Sequence, residues 1–327
     1  MKTTKGNFAL AKKLEQEGSA HANPCACARG ILRRASAGIL APVTLAVAMV
    51  AVPVKAADTA ATNQVAAPEP CPVPDYFTHW FDRVNEIQSE QPHWVTPLVT
   101  VTPRLEEELR YDQFQETLPG GHSLDVYGGG KGVELIPLRP VEVIIGVPAW
   151  ETENTSPRKS GWADETFLLK YRLLSANEEN GDYILTAFLG LSVPSGSDDF
   201  SAHHYGFTPT IAFGKGWGRF DVQSTVGISF PDNGTTVSGP GTPILFNTAL
   251  QCHVAKYLWP EVEFNYTYWP NGEHKGRNQL FVTPGLALGR IPIWHRVGVT
   301  LVAGYQVAVS DKPLMQNNFI LSARIPF

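Results

Sequence analysis

Residues 218–230 read GRFDVQSTVGISF. Phe220, Val222, Ser224, Val226, Ile228 and Phe230 share one parity, and Arg219, Asp221, Gln223, Thr225 and Ser229 share the other. Successive side chains of a strand point to opposite faces, so this stretch is a strand with one apolar and one polar face. Its length is about that of a tilted strand crossing a bilayer, roughly 9–11 residues. Two settings produce such a pattern. A soluble sheet turns its apolar face to a core. A membrane barrel turns it to lipid and keeps the polar face for the lumen.

The pattern recurs. In PEVEFNYTYW (260–269), Val262, Phe264, Tyr266 and Tyr268 oppose Glu261, Glu263, Asn265 and Thr267. In ILFNTALQCHVA (244–255), Ile244, Phe246, Leu250, Cys252 and Val254 oppose Asn247, Gln251 and His253. The chain ends on FILSARIPF (319–327), in which Ser322 and Arg324 alternate with apolar neighbours. In all, twelve segments qualify: about 98–114, 122–128, 133–146, 162–174, 183–193, 205–214, 218–230, 243–256, 260–270, 279–289, 296–309 and 317–327. Residues 122–128 are short, and 133–146 contains Arg139-Pro140 with a parity break, which predicts a bulge.

The connectors are of two kinds. GGGKG (128–132), GKGWG (214–218), YLWP (257–260) and GRIPIWH (289–295) are mostly tight, whereas VPAWETENTSPRKSG, PSGSDDFSAHHYG and PDNGTTVSGPGT are long and polar. Short turns on one side and long loops on the other are the habit of outer-membrane barrels. An even strand number returns the C-terminus to the short-turn, periplasmic side. There the last strand pairs with the first, leaving no edge in lipid. A soluble secreted sandwich or barrel would also alternate, and parity alone does not separate the two.

The N-terminus does help. Basic residues are spread over 1–34, the apolar run AGILAPVTLAVAMVAVPV (37–54) follows, and Val54-Lys55-Ala56 resembles a small-residue cleavage site. This is the layout of a secretory signal. The alternative, a membrane-spanning helix, is weakened by Pro42 and Pro53. The expected organisation is therefore a signal peptide at 1–56, a periplasmic linker with a short amphipathic helix at 57–95, and a barrel at 96–327. The helix, roughly 75–90, carries Phe77, Trp80, Phe81, Val84 and Ile87 at helical spacing behind a capping Asp75. Its stripe needs a barrel rim, a barrel mouth or a membrane surface to cover it.

Only 17% of the residues are charged, against roughly 25% for soluble domains. Loss of residues 1–56 removes eight basic and two acidic residues and leaves 18 against 29, a net charge of −11. Such a chain is no nucleic-acid binder by its overall field. Cys25 and Cys27 would leave with the signal. Cys71 and Cys252 could pair, though two lone thiols fit the sequence better.

Charge in a barrel belongs in the lumen, because Arg or Lys facing lipid costs roughly 2–4 kcal/mol at midplane. By this rule the lumen candidates are Glu106, Glu108, Arg110, Asp112, Lys170, Arg172, Arg219, Asp221, His253, Glu261, Glu263, Arg296 and Arg324. Glu107 falls on the wrong parity and is expected off midplane or at a bulge. These residues either line a polar pore or form a salt-bridged filling.

TPRLEEELRYDQF (102–114), LSVPSGSDDF (191–200), FTPTIAFGKGWGRFDVQSTVGISFP (207–231) and the terminal Phe occur in an order that resembles one bacterial family. It is the outer-membrane transporter family named for the meta-pathway of phenol degradation. The resemblance runs over roughly 95–327. It implies an outer-membrane channel of a Gram-negative bacterium, carries no catalytic residues, and leaves the substrate open. It also implies that Phe327 serves as a signal to the barrel-assembly machinery.

Nothing points to an enzyme or a cofactor. There is no GxSxG elbow, no HExxH helix and no CxxC pair, and Lys131 after its glycines lacks P-loop spacing. His203-His204 reads as a polar loop. The sequence thus predicts an all-β, antiparallel transmembrane β-barrel of about 12 strands with a short N-terminal periplasmic helix. Its expected partners are the lipid bilayer, the assembly machinery and a small hydrophobic or aromatic solute. A non-conducting barrel with a filled lumen is the alternative.

Overall fold

A computed structural model describes residues 73–129, 131–232, 239–311 and 313–327. The signal segment, most of the linker, and Cys25, Cys27 and Cys71 lie outside the described residues. Cys252 carries a free thiol.

Twelve antiparallel wall strands run up and down in chain order. They are β1 (Glu108–Thr117), β2 (Ser123–Tyr127 and Gly132–Leu138), β3 (Val141–Ile145 and Trp150–Glu153), β4 (Lys159–Trp162 and Glu165–Ala176) and β5 (Tyr183–Val193). Then follow β6 (Gly206–Trp217), β7 (Phe220–Ile228 and Phe230–Pro231), β8 (Ile244–Cys252), β9 (Leu258–Tyr268), β10 (Asn278–Trp294), β11 (Val297–Ala308) and β12 (Asn317–Pro326). Each strand pairs with its neighbours in sequence, and β12 returns to pair with β1 from Glu108↔Pro326 to Thr117↔Asn317. The ladder is closed, so no row of backbone N–H and C=O groups is left for lipid, where none could be satisfied.

Two local features differ from the sequence reading, and they offset each other in the strand number. GGGKG is no hairpin turn. Tyr127 pairs with Gln113 and Gly132 with Arg110, so four residues of β2 stand opposite two of β1. Gly128, Gly129 and Gly132 have φ of 79°, 82° and 67°, values that side chains disfavour, and they let the strand bulge and resume. Conversely, Arg139-Pro140 is a turn, since Leu138 pairs with Val141 across it, and the expected bulge lies just before it, where Ile136 and Pro137 stand opposite Glu142 alone. Proline suits a turn because it has no N–H to give to a ladder. The stretch read as one long loop after Val147 also adds wall at Trp150–Glu153 and Lys159–Trp162, paired Trp150↔Trp162.

Alternation places side chains as the pattern of 218–230 demands. Phe220, Val226 and Ile228 are exposed on the outside, while Asp221, Gln223 and Thr225 are buried inside. Tyr111, Leu169, Tyr171, Ile211, Phe213, Phe246, Leu301 and Leu321 continue the outer belt. A wall this apolar outside and polar inside has lipid as its solvent.

Before β1 lie α1 (Val73–Thr78) and α2 (Trp80–Ser89), one broken helix with His79 between its parts. Val84 and Ile87 are fully buried against Leu105 and the inward-facing Ile136, with Trp80 beside them. The stripe is thus covered at the barrel mouth, although Phe77 and Phe81 remain exposed. Glu86 and Glu90 pair with Arg139, and Glu90 also with Arg172, tying α2 to the β2–β3 turn and to β4.

Val226 sits mid-strand on the lipid face. Val226→Arg is expected to lower barrel stability by about 2–4 kcal/mol in a urea titration in lipid vesicles. An unchanged midpoint would place this face away from the bilayer.

Candidate functional site

The segment between α2 and β1 reads QPHWVTPLVTVTPRLEE (91–107). Its alternation resembles a strand, and the sequence reading placed a wall strand from about residue 98. Instead the wall starts at Glu108, and residues 91–107 form an irregular loop packed inside the barrel. Pro92, Pro97 and Pro103 explain the difference. Each removes a ladder donor, and three in twelve residues disfavour a central strand, although the wall carries Pro209, Pro260 and Pro284 within its own strands. Nearly every residue of the loop is buried; His93 is the exposed exception.

A buried irregular segment must find partners for its backbone groups one by one, and here inward side chains of the wall provide them. Glu263 on β9 accepts from Val99 N (2.7 Å) and Thr100 N (2.6 Å) at the tip. Arg324 on β12 donates to the carbonyls of Thr96 and Pro97. Arg110 on β1 donates to the Leu98 carbonyl at 2.6 Å. Lys170 donates to the Arg104 carbonyl at 3.0 Å, and Thr186 to that of Pro103 at 2.5 Å. Gln223 bonds the Val95 carbonyl and accepts from Thr102 Oγ1 at 2.7 Å. The loop also closes on itself. Arg104 donates to the carbonyls of Pro92 and Trp94, and Gln91 exchanges two bonds with the Leu105 backbone. Most of these involve an ionised partner, the stronger kind of hydrogen bond.

Leu98 and Val95 give the plug an apolar contact with Ala287, Val302 and Ile320 on β10–β12. The wall makes room. A Cβ on Gly304 would lie 2.5 Å from Leu98 Cδ2, and one on Gly214 would lie 2.4 Å from Trp94 Cζ3. At its root, His93 donates its backbone N–H to Glu178 Oε1 (2.6 Å), and its Nδ1 lies 2.9 Å from Oε2. Partial burial alone would raise the Glu178 carboxyl, but these bonds outweigh it and hold the pKa below the usual carboxylate value.

Among the thirteen lumen candidates, Glu106, Glu108, Arg110, Asp112, Lys170, Asp221, Glu261, Glu263 and Arg324 lie buried inside the barrel. Glu106 belongs to the plug rather than to β1, and it pairs with Arg104 at 2.6 Å. Arg110 pairs with Asp112 at 2.7 Å, and Lys170 with Glu142 at 2.8 Å. Four candidates stand elsewhere. Arg219 is exposed in the β6–β7 turn. His253 stacks on Trp259 in the β8–β9 turn. Arg172 is half-buried and reaches α2 through Glu90 and the Ile87 carbonyl. Arg296, in the β10–β11 turn, also reaches α2, through Asn85, and lies near the carbonyl of Phe327. Parity fails for Arg219, His253 and Arg296 because turns do not alternate. Phe327 follows the last strand, its N–H on the Glu107 carbonyl at 3.2 Å.

The sequence reading missed Arg104, Lys131, Glu134 and Glu142 as lumen groups, all buried, whereas Gln223 lies inside as its parity requires. A turn at Arg139-Pro140 would have shown Glu134 and Glu142 on one inward face. Glu107, expected off midplane, is buried at the mouth, where it accepts from Trp80 Nε1 at 2.8 Å.

The plug does not fill everything. On the extracellular side of its tip lies a cavity of about 350 Å³. Leu98, Val99 and Val101 of the plug and Phe114, Ile144 and Leu168 of the wall give it an apolar lining, with Arg110, Asp112 and Lys131 at one side. This volume suits a small, mainly apolar molecule. Among the described residues no cluster of His, Cys, Asp and Glu could hold a metal ion.

No protein-family model and no curated protein matches the chain. Among solved structures it is similar to the COG4313 outer membrane channel from Pseudomonas putida F1, at 13% identity and a TM-score of 0.46 over 72% of this chain and 100% of that one. It is similar to the KdgM porin at 10% identity and a TM-score of 0.39, over 67% of this chain and 99% of that one. The translocator domain of autotransporter NalP from Neisseria meningitidis matches at 11% identity and a TM-score of 0.37, over 78% and 95%. Likeness at this level says nothing of what the lumen does. The assignment rests on the chain's own closed ladder and apolar belt, the architecture of the Gram-negative outer membrane, and that bilayer is its environment.

Glu263→Ala removes two charge-assisted bonds, worth roughly 1.5–3 kcal/mol each, and leaves two buried N–H groups without them. Amide exchange at Val99 and Thr100 is expected to accelerate at least about a hundredfold. An unchanged rate would mean that Glu263 does not hold the tip.

Proposed function

We propose that the protein is an outer-membrane channel for small hydrophobic compounds, and that the loop 91–107 is its gate. The observation that carries this reading is the way the lumen is filled. The plug is a strand-free loop held largely by hydrogen bonds from wall side chains, with apolar packing in two small clusters, one at Val95 and Leu98 and one at Leu105. A filling that served stability alone would be better made of close-packed apolar side chains, since buried ion pairs add little net stability over hydrophobic packing. Polar contacts can be exchanged for water when the segment moves, so the closed state need not be permanent.

The solute class follows from the cavity beyond the tip, whose lining is mostly Leu, Val, Ile and Phe. Aromatic compounds belong to the same class, while the resemblance to the transporter family named for phenol degradation leaves the substrate open. The position of Phe327 directly after the last strand supports reading it as the assembly signal that the resemblance implies. A second reading, a non-conducting barrel with a permanently filled lumen, is favoured by the depth of plug burial and the absence of secondary structure that could slide as a unit.

Planar-bilayer conductance separates the two. The full chain is expected to give small, brief openings. A mature chain beginning at Leu105, and the full chain carrying Glu263→Gln with Arg324→Gln, are expected to give larger and longer ones. Closed bilayers with all three proteins would support the non-conducting barrel.

A further inference from the structure

A separate pocket of about 240 Å³ lies at the periplasmic mouth, between the root of the plug and the wall. Its lining is His93 and Val95 of the plug, His253, Lys256, Tyr257 and Trp259 of the β8–β9 hairpin, and Gly289 and Arg290 of β10. Every charged residue of that lining is basic, on a mature chain whose net charge is −11.

Arg290 is aimed into this space by a defect in the wall. Leu288 pairs with Leu301 and Ile291 with Val299, so Gly289 and Arg290 stand opposite Thr300 alone. This is a bulge, a device that re-aims a side chain. Arg290 has φ of 53°, a conformation unfavourable for any residue but glycine, and its N–H is caught by Thr300 Oγ1 at 2.9 Å. Without the bulge its parity would put it toward lipid. Its guanidinium makes only long contacts, 3.5 Å to the Trp94 carbonyl and 3.6 Å to Glu106 Oε1, and Glu106 is already held at 2.6 Å by Arg104. Most of its five donors remain for a ligand.

Lys256 stands across the pocket with its ammonium 4.9 Å from the Tyr257 ring centroid, and no carboxylate lies within ion-pair distance of it among the described residues. Glu178, the acid beside His93, is engaged by it. Trp259 is held in place by stacking on His253, with ring centroids 4.1 Å apart and planes within 7°. Two cations without a short acidic partner, Arg290 with only long contacts and Lys256 bonded to the Tyr257 side chain, fit an anion with an apolar body on this aromatic wall.

We infer that this pocket is a periplasm-facing binding site for a small organic carboxylate, its carboxylate held by Arg290 and Lys256 and its body laid against Val95, Tyr257 and Trp259. A planar guanidinium suits a carboxylate in bidentate fashion. The inference goes beyond the channel reading and stands whether or not the barrel conducts, because it concerns binding from the periplasmic side alone.

The test uses the whole protein in nanodiscs, with saturation-transfer NMR and calorimetry. The probes are benzoate, the ring-matched cation benzylammonium, and inorganic phosphate. Saturable benzoate binding is expected, with Arg290→Gln weakening it at least tenfold and Lys256→Gln several-fold. Benzylammonium is expected not to bind, and phosphate to displace benzoate poorly. Lys256 lies in an exposed turn, so Lys256→Gln serves if Arg290→Gln loses the heat-shifted gel mobility of a folded barrel. No saturable benzoate binding, binding unaffected by the folded variants, or equal binding of benzylammonium overturns the site. Phosphate competing as well as benzoate overturns the assignment to an organic ligand.

Discussion

Lipid offers no hydrogen bonds, and from that constraint most of this structure follows. It forces the wall to close, because an open edge would leave a row of backbone groups unsatisfied. It also sorts side chains by parity, so that Asp221, Gln223, Glu261, Glu263, Lys170 and Arg324 all point inward and are buried. A twelve-strand lumen so furnished has more donors and acceptors than its own wall can pair. The loop 91–107 pairs several of them with its backbone, and in return the wall satisfies an irregular segment that could not otherwise be buried. Plug and lumen are therefore one polar network. Glu263 and Arg324 serve the plug in opposite ways, one accepting from its amides and the other donating to its carbonyls.

Function is argued from the same network. A segment fixed by many directed contacts has a defined position, yet each of its polar contacts is one that water can replace. The apolar cavity above the tip and the basic, aromatic pocket beside the root lie on opposite sides of the plug, with different chemistry. Arg290 lines the lower pocket and also touches Trp94 and Glu106 of the plug, so occupancy there and the position of the plug are physically linked.

The architecture was legible because its signals are local and repeated. Strand parity in 218–230 or 260–269 decides which residues meet lipid, and the alternation of short and long connectors orders the strands. Three things were not legible, each for a physical reason. The stretch 98–107 alternates like a strand, and only the spacing of Pro97 and Pro103 argues otherwise. A glycine run looks alike whether it reverses the chain or bulges within it, so residues 128–131 and Arg139-Pro140 exchanged roles. Side chains in turns obey no parity, which is why Arg219, His253 and Arg296 left the lumen set while Glu134 and Glu142, next to an unrecognised turn, were passed over. The plug itself depends on contacts more than a hundred residues apart in sequence, such as Thr102 with Gln223, and no local pattern announces those.

That contact offers the most direct measurement. Thr102→Cys and Gln223→Cys, in a chain with Cys71 and Cys252 replaced by serine, place two thiols on either side of the contact that Oγ1 and Oε1 now make at 2.7 Å, within reach of a short cross-link. Treatment of intact outer membranes with a short bifunctional thiol reagent is expected to join plug to wall within one chain, giving a species of altered mobility after unfolding, while either single cysteine gives none. No such species, in a barrel that still shows the folded mobility, would contradict a plug seated against β7.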